Sequence, residues 1–231
     1  MREHPVIENG FDFKKIILSC LRFNLMNYQS LIAFVCLVAT VACNQDKTVK
    51  KELPSGLIVE YEENVDGEKN GQYLLMTPDE DTLEKSYYVN DLLQGTRTIY
   101  TDSGTVEMVE LYEKGKLQGD YKGYYPSGTL KYKGKYNSGE MKGVWTFYYE
   151  TGDIKEKVTY DQNEENGPFS EYDESGTLRA KGKYLNGDNE NGLLYLYDDK
   201  GAPARVMDCD MGVCITQWTP DSTEVSFDDF K

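Results

Sequence analysis

The residue types that most often carry chemistry are scarce in this 231-residue sequence, and that scarcity decides a good deal. Its one histidine, His4, precedes a short apolar run, so a chain cut after that run has no imidazole. Without one, a Ser–His–Asp triad, a Cys–His dyad or a His-ligated zinc site cannot be assembled. Carboxylates are plentiful, with 40 Asp plus Glu, but nothing singles out the pair that glycoside hydrolysis requires. The expectation is a protein that is not an enzyme, with no catalytic residues, no metal and no cofactor. Asp161, Glu164 and Glu165 fall in one candidate turn, with Asp188 and Glu190 in the next equivalent one. Such oxygens could hold Ca²⁺, yet they lack EF-hand spacing, and a solvated acidic turn is the simpler reading. Of five cysteines, Cys209 and Cys214 have four residues between them and, in an exported chain, are expected to form a disulfide closing a C-terminal hairpin.

Lys and Arg number 25, giving a formal charge of −15 and a pI near 4.5. Nucleic acid and anionic bilayers are bound through basic patches, so that balance speaks against them and for a basic protein partner. Aromatics reach 13%, with 19 Tyr, a share that disordered chains do not carry.

Residues 31–42 (LIAFVCLVATVA) form an uncharged apolar run of 12 residues. A bilayer-spanning helix needs about 20, whereas this length suits the apolar core of a signal peptide, with Lys14, Lys15 and Arg22 ahead of it. The ending Thr40-Val41-Ala42-Cys43 resembles a bacterial lipoprotein signal, with residues 1–42 removed and Cys43 acylated. Met26 is an alternative start, and an ordinary cleaved signal or a weak N-terminal anchor is the competing reading. The resemblance implies attachment to a membrane through lipid at the bacterial cell envelope, on its periplasmic or cell-surface face. Residues 43–52 are then expected to be a polar tether. Removing the leader leaves 21 basic and 37 acidic residues, a charge of −16.

The elements that would position any site follow from an internal repeat. Gly71, Gly95, Gly119, Gly143, Gly167 and Gly192 stand 24 or 25 residues apart. Five places after each comes Met76, Tyr100, Tyr124, Tyr148, Tyr172 or Tyr197, and nine places after all but the first comes another Gly. Seventeen places after the first five stands a Tyr, from Tyr88 to Tyr184; the last unit breaks the column. Each unit reads as a β-hairpin: a short aromatic strand, a tight Gly turn, a returning strand that alternates, and a second Gly- or Asn-rich turn. The aromatic strand does not alternate cleanly, which points to a bulge within it. The predicted fold is all-β: an elongated single twisted antiparallel sheet of tandem ~24-residue hairpins, each touching mainly its neighbours. The repeats span residues 53–206, opening with a half-unit at 53–70, and residues 207–231 are expected to be a cap or tail.

The third and fourth units, with GYYPSGTLKYKGKYNSG and GVWTFYYETGDIKEKVTY, resemble the MORN-variant repeat, most of all the YwqK-like type described as antitoxin. The resemblance implies hairpin sheets that serve as scaffolds or binding surfaces, with no catalytic residues. Tyr100, Tyr124, Tyr148, Tyr172 and Tyr197, with Trp145 and Phe169, are the candidate aromatics, either as packing or as binding anchors. The expected function is a non-catalytic, exported and lipid-anchored scaffold that binds a protein. An antitoxin or immunity protein that neutralises a toxin, and a glycan-binding surface lipoprotein, are the alternatives.

Overall fold

The computed structural model describes residues 46–231; the signal segment 1–42 and the acylation candidate Cys43 lie outside the described residues. The described chain is one open antiparallel sheet in which strands pair in sequence order. Its first strands are β1 (Lys47–Glu52), β2 (Ile58–Glu63), β3 (Lys69–Met76), β4 (Thr82–Val89), β5 (Leu92–Leu93) and β6 (Gly95–Tyr100). The middle comprises β7 (Val106–Glu113), β8 (Lys116–Tyr124), β9 (Leu130–Asn137), β10 (Glu140–Tyr148) and β11 (Ile154–Asp161). The remainder is β12 (Glu164–Tyr172), β13 (Leu178–Tyr184), β14 (Gly192–Tyr197), β15 (Pro203–Asp210) and β16 (Val213–Trp218). β5 pairs only with β4, and with β6 it makes one strand interrupted at Gln94.

Two kinds of turn set the register. Along one sheet edge lie five-residue turns that begin at Leu53, Thr77, Thr101, Tyr125, Tyr149, Asp173 and Asp198. In each, the first N–H donates to the fifth carbonyl, and the first carbonyl accepts from the fourth N–H. That fourth place has a positive φ, which Gly adopts without strain; the first unit, which lacks the Gly, puts Glu80 there at φ 66°. Along the other edge lie mostly two-residue turns with both φ values positive, such as Ser138-Gly139 (55° and 93°) and Lys114-Gly115 (51° and 77°), while Asn64–Glu68 and Leu185–Asn189 form longer ones. The two-residue form has the type I′ geometry whose twist suits a hairpin. Each tip is tied to the preceding unit: Gly139 N–H donates to the Leu117 carbonyl, and Gly115 N–H to that of Leu93.

Every unit carries a register slip between its fourth and fifth positions, for example at Phe147/Tyr148 opposite Glu156 and Ile154. The extra residue (here Lys155) is in the returning strand, not in the aromatic strand where the sequence pointed. The opening glycines sit at a second irregularity, with φ between 73° and 129°.

Two boundaries differ from the sequence reading. The expected tether, residues 43–52, contributes β1 from Lys47 onward, which pairs with β2 along its whole length. A Lys-rich strand suits a sheet edge, where charge discourages further pairing. The expected tail, residues 207–231, starts inside β15 and continues through β16; Cys209 and Cys214 face each other across that hairpin and are joined by a disulfide. The chain then folds back as a 3₁₀ turn at Phe227–Phe230, capped by Ser226. Phe227 packs against Tyr195 and Trp218, and the Tyr195 hydroxyl donates to the Phe230 carbonyl.

Candidate functional site

Residues directly opposed in neighbouring strands share a face, so the register lists the occupants of each face. The second and fifteenth residues of the units are opposed in every unit. They are Tyr73–Ser86, Arg97–Glu110, Tyr121–Gly134, Trp145–Val158, Phe169–Gly182 and Leu194–Met207. The opening glycines face the seventeenth-place tyrosines beside them, as in Gly119–Tyr136; the last unit has Cys209 instead. This is the packed face. Val158, Phe169, Ala180, Leu194 and Cys209 form its buried cluster.

Rings lie flat across the neighbouring strand here, and glycines make room for them. A Cβ on Gly134 would stand 2.1 Å from the Trp145 indole, and one on Gly123 would stand 2.2 Å from the Tyr132 ring. Trp145 meets Tyr136 edge-on at 5.4 Å and Tyr121 at 5.7 Å, while Phe169 stacks on Tyr184 at 4.1 Å. The Trp145 indole N–H is buried among rings without an acceptor. Burial raises the phenol pKa of Tyr121, Tyr160 and Tyr184 above the ordinary value, so these rings stay neutral.

At one unit the column is polar. Arg97 donates to Glu84 at 2.7 Å and to Glu110 at 3.0 Å, and the Tyr112 hydroxyl adds a bond to Glu110 at 3.2 Å. The hydrogen bond to Glu84 leads the effects that hold the Arg97 guanidinium above its usual pKa. Further along the face, Glu156 and Glu171 stand directly opposed. Burial first, then neighbouring carboxylates, Glu165 among them, raise the pKa of both.

The other face is different in kind. A continuous row of opposed residues runs Lys85, Thr98, Val109, Lys122, Lys133, Thr146, Lys157, Ser170, Lys181 and Tyr195. No carboxylate approaches within 4.0 Å of the ammonium of Lys85, Lys122, Lys133, Lys157 or Lys181 among the described residues. The chain is acidic overall, but its lysines gather on this side.

The candidate aromatics are therefore divided. Trp145 and Phe169 belong to the packed face. Tyr100, Tyr124, Tyr148, Tyr172 and Tyr197 follow the register slip and take no part in the ring contacts there. Tyr148 instead lies under the Lys133 ammonium at 5.7 Å, and Tyr100 shares a groove with Lys85. Neighbouring units are clasped by the next residue along: the Tyr125 hydroxyl donates to the Tyr148 carbonyl, and Tyr149 to that of Tyr172. Sequence reading missed this clasp and the lysine row. The row was visible as lysines fourteen places after the opening glycines, at 85, 133, 157 and 181. Of the acidic turn residues, Asp161 pairs with Lys142 and Glu165 accepts from Tyr160 at 2.8 Å; no metal-holding group of His, Cys, Asp and Glu occurs among the described residues.

An open sheet of tandem hairpins, exposing two unlike faces, defines a repeat scaffold. Residues 117–138, 141–162 and 165–186 each match the family described as MORN repeat variant, so three tandem repeats of that kind lie at the centre of the chain. In all three the packed column is apolar, aromatic or glycine. No curated protein matches the chain.

Proposed function

We propose that the protein is a non-catalytic scaffold, exported and lipid-anchored at Cys43 in the bacterial cell envelope, that holds a basic protein against its aromatic face. One observation carries this reading: no strand or helix lies over that face among the described residues, so Tyr121, Tyr132, Tyr136 and Tyr160 remain partly exposed. Large rings on a rigid support cost little entropy to bury, which is why they serve as anchors. Glu156 and Glu171 stand beside them, half-buried and without a cationic partner within 4.0 Å among the described residues, ready to meet a cation.

The test is capture of partners from solubilised envelopes by the full-length protein and by a Tyr121→Ala/Tyr132→Ala variant. A saturable basic partner lost in the variant supports the reading; equal capture by both proteins overturns it. Palmitate labelling that persists in Cys43→Ala would remove the anchor from the proposal.

A further inference from the structure

The lysine row bears on a second ligand, on the face opposite the proposed protein site. Its members lie in successive units, and every second strand adds about 10 Å, given a strand spacing near 4.8 Å. Lys133, Lys157 and Lys181 thus present single positive charges about 10 Å apart, with Thr146 and Ser170 between them. Lys122 stands directly opposite Lys133, which concentrates positive charge at the middle of the row. Like charges so placed repel, and no carboxylate lies within 4.0 Å of their ammonium groups among the described residues; Asp120, on this face beside Lys122, is held by Lys135 at 3.3 Å.

The row ends in two grooves on the same side. One, of about 710 Å³, has Leu74, Lys85 and Tyr100 in its wall together with Asp81 and Asp102, so this end of the row is the less cationic one. The other, of about 530 Å³, includes Ser170, Lys181, Lys183 and Tyr195. The ammonium of Lys181 lies 4.7 Å over the Tyr195 ring, so charge and flat apolar surface meet there. Beyond it the C-terminal turn, through Phe227, closes the face.

We infer that this face binds a carboxylated polysaccharide, a linear polymer in which a uronic acid alternates with a neutral sugar, lying across the strands. Three features select that class. The ligand must be anionic, because the row is an uncompensated cation array. Its charges must be sparse: a duplex nucleic acid carries one charge per ~1.7 Å, and a chain of net charge −15 repels so dense a polyanion. Its uncharged stretches must offer hydroxyls and flat C–H faces, to match the Thr and Ser hydroxyls and the tyrosine rings. An extended acidic peptide fits less well, since its side chains on one face recur every ~6.6 Å.

The probe is hyaluronate, in which one sugar in two carries a carboxylate, titrated into the full-length protein in detergent. Saturable binding that weakens with added salt is expected, with no binding of neutral dextran. The variant Lys122→Gln/Lys133→Gln/Lys157→Gln/Lys181→Gln alters three exposed side chains and the half-buried Lys122, and is expected to lose at least tenfold in affinity. Lys47→Gln/Lys114→Gln/Lys116→Gln/Lys200→Gln removes the same charge elsewhere and is expected to bind as the parent does. The single reversal Lys133→Glu is expected to cost at least threefold. Absence of binding, or equal loss in both quadruple variants, overturns the inference. Tighter binding of polygalacturonate, poly-glutamate or duplex DNA than of hyaluronate overturns it too. Tyr121→Ala/Tyr132→Ala leaves this binding intact, so failure here is distinct from failure of the protein-binding proposal.

Discussion

The units that open at Gly95 and Gly143 build the same hairpin around opposite chemistry. In the first, the packed column is Arg97 against Glu110, with Glu84 on the other flank; in the second it is Trp145 against Val158. Both centres are buried, Glu110 to 5% exposure and Val158 to 1%. The backbone is indifferent to which is used, because turns and ladder bonds fix the hairpin and leave one cross-strand place to be filled. The energetics are not indifferent. An apolar pair gains by leaving water, whereas an ion pair must recover the hydration it gives up and holds only while complete.

The largest effect is expected on the apolar side. Trp145→Ala empties the centre of the ring cluster and should cost about 3–5 kcal/mol in urea unfolding. On the polar side, Arg97→Ala strands Glu84 and Glu110 and should cost about 2–3 kcal/mol, less than for a fully dry cluster because Arg97 is partly wet. Gly134→Ala places a methyl inside the Trp145 ring and should cost up to ~3 kcal/mol, although the backbone angle there is ordinary. The comparison is sharpened by conversion: Arg97→Tyr/Glu110→Gly copies the Tyr121–Gly134 pair into the earlier unit, and Glu84→Gln removes the carboxylate that loss of Arg97 would strand. The triple variant should be neutral or more stable by about 1 kcal/mol, while Arg97→Tyr or Glu110→Gly alone destabilises. A triple variant no better than the worse single would show that the two units are not interchangeable.

The smallest effect concerns charge on the packed face. The carboxyls of Glu156 and Glu171 have raised pKa values in the folded chain, so ionisation opposes folding. That penalty is absent below the ordinary glutamate pKa and grows as pH rises through the folded one. Glu156→Gln should therefore raise the melting temperature at pH 7 and leave it unchanged at pH 4.

Much of this was legible in the chain itself. The 24-residue spacing, the two turn series and the strand assignments are local, since Gly or Asn at a positive φ marks a turn wherever the unit recurs. β1 was missed because Lys47–Glu52 carries charge at nearly every place and gains strand character only by pairing with β2. The seven candidate aromatics read as one stripe because their spacing is uniform. Trp145 and Phe169 stand three places before Tyr148 and Tyr172 in the same strands, so plain period-two alternation sends them to the opposite face.

The amino-acid order by itself determined the repeat length, the hairpins and the net acidity, because each depends on composition or on a few neighbouring dihedral angles. Tertiary structure alone decided which side chains share a face, and hence that the ring cluster around Trp145 and the half-buried Glu156 and Glu171 lie on one side and the lysine row on the other. A face belongs to the pairing of strands, and one extra residue in a returning strand turns the side chains beyond it over.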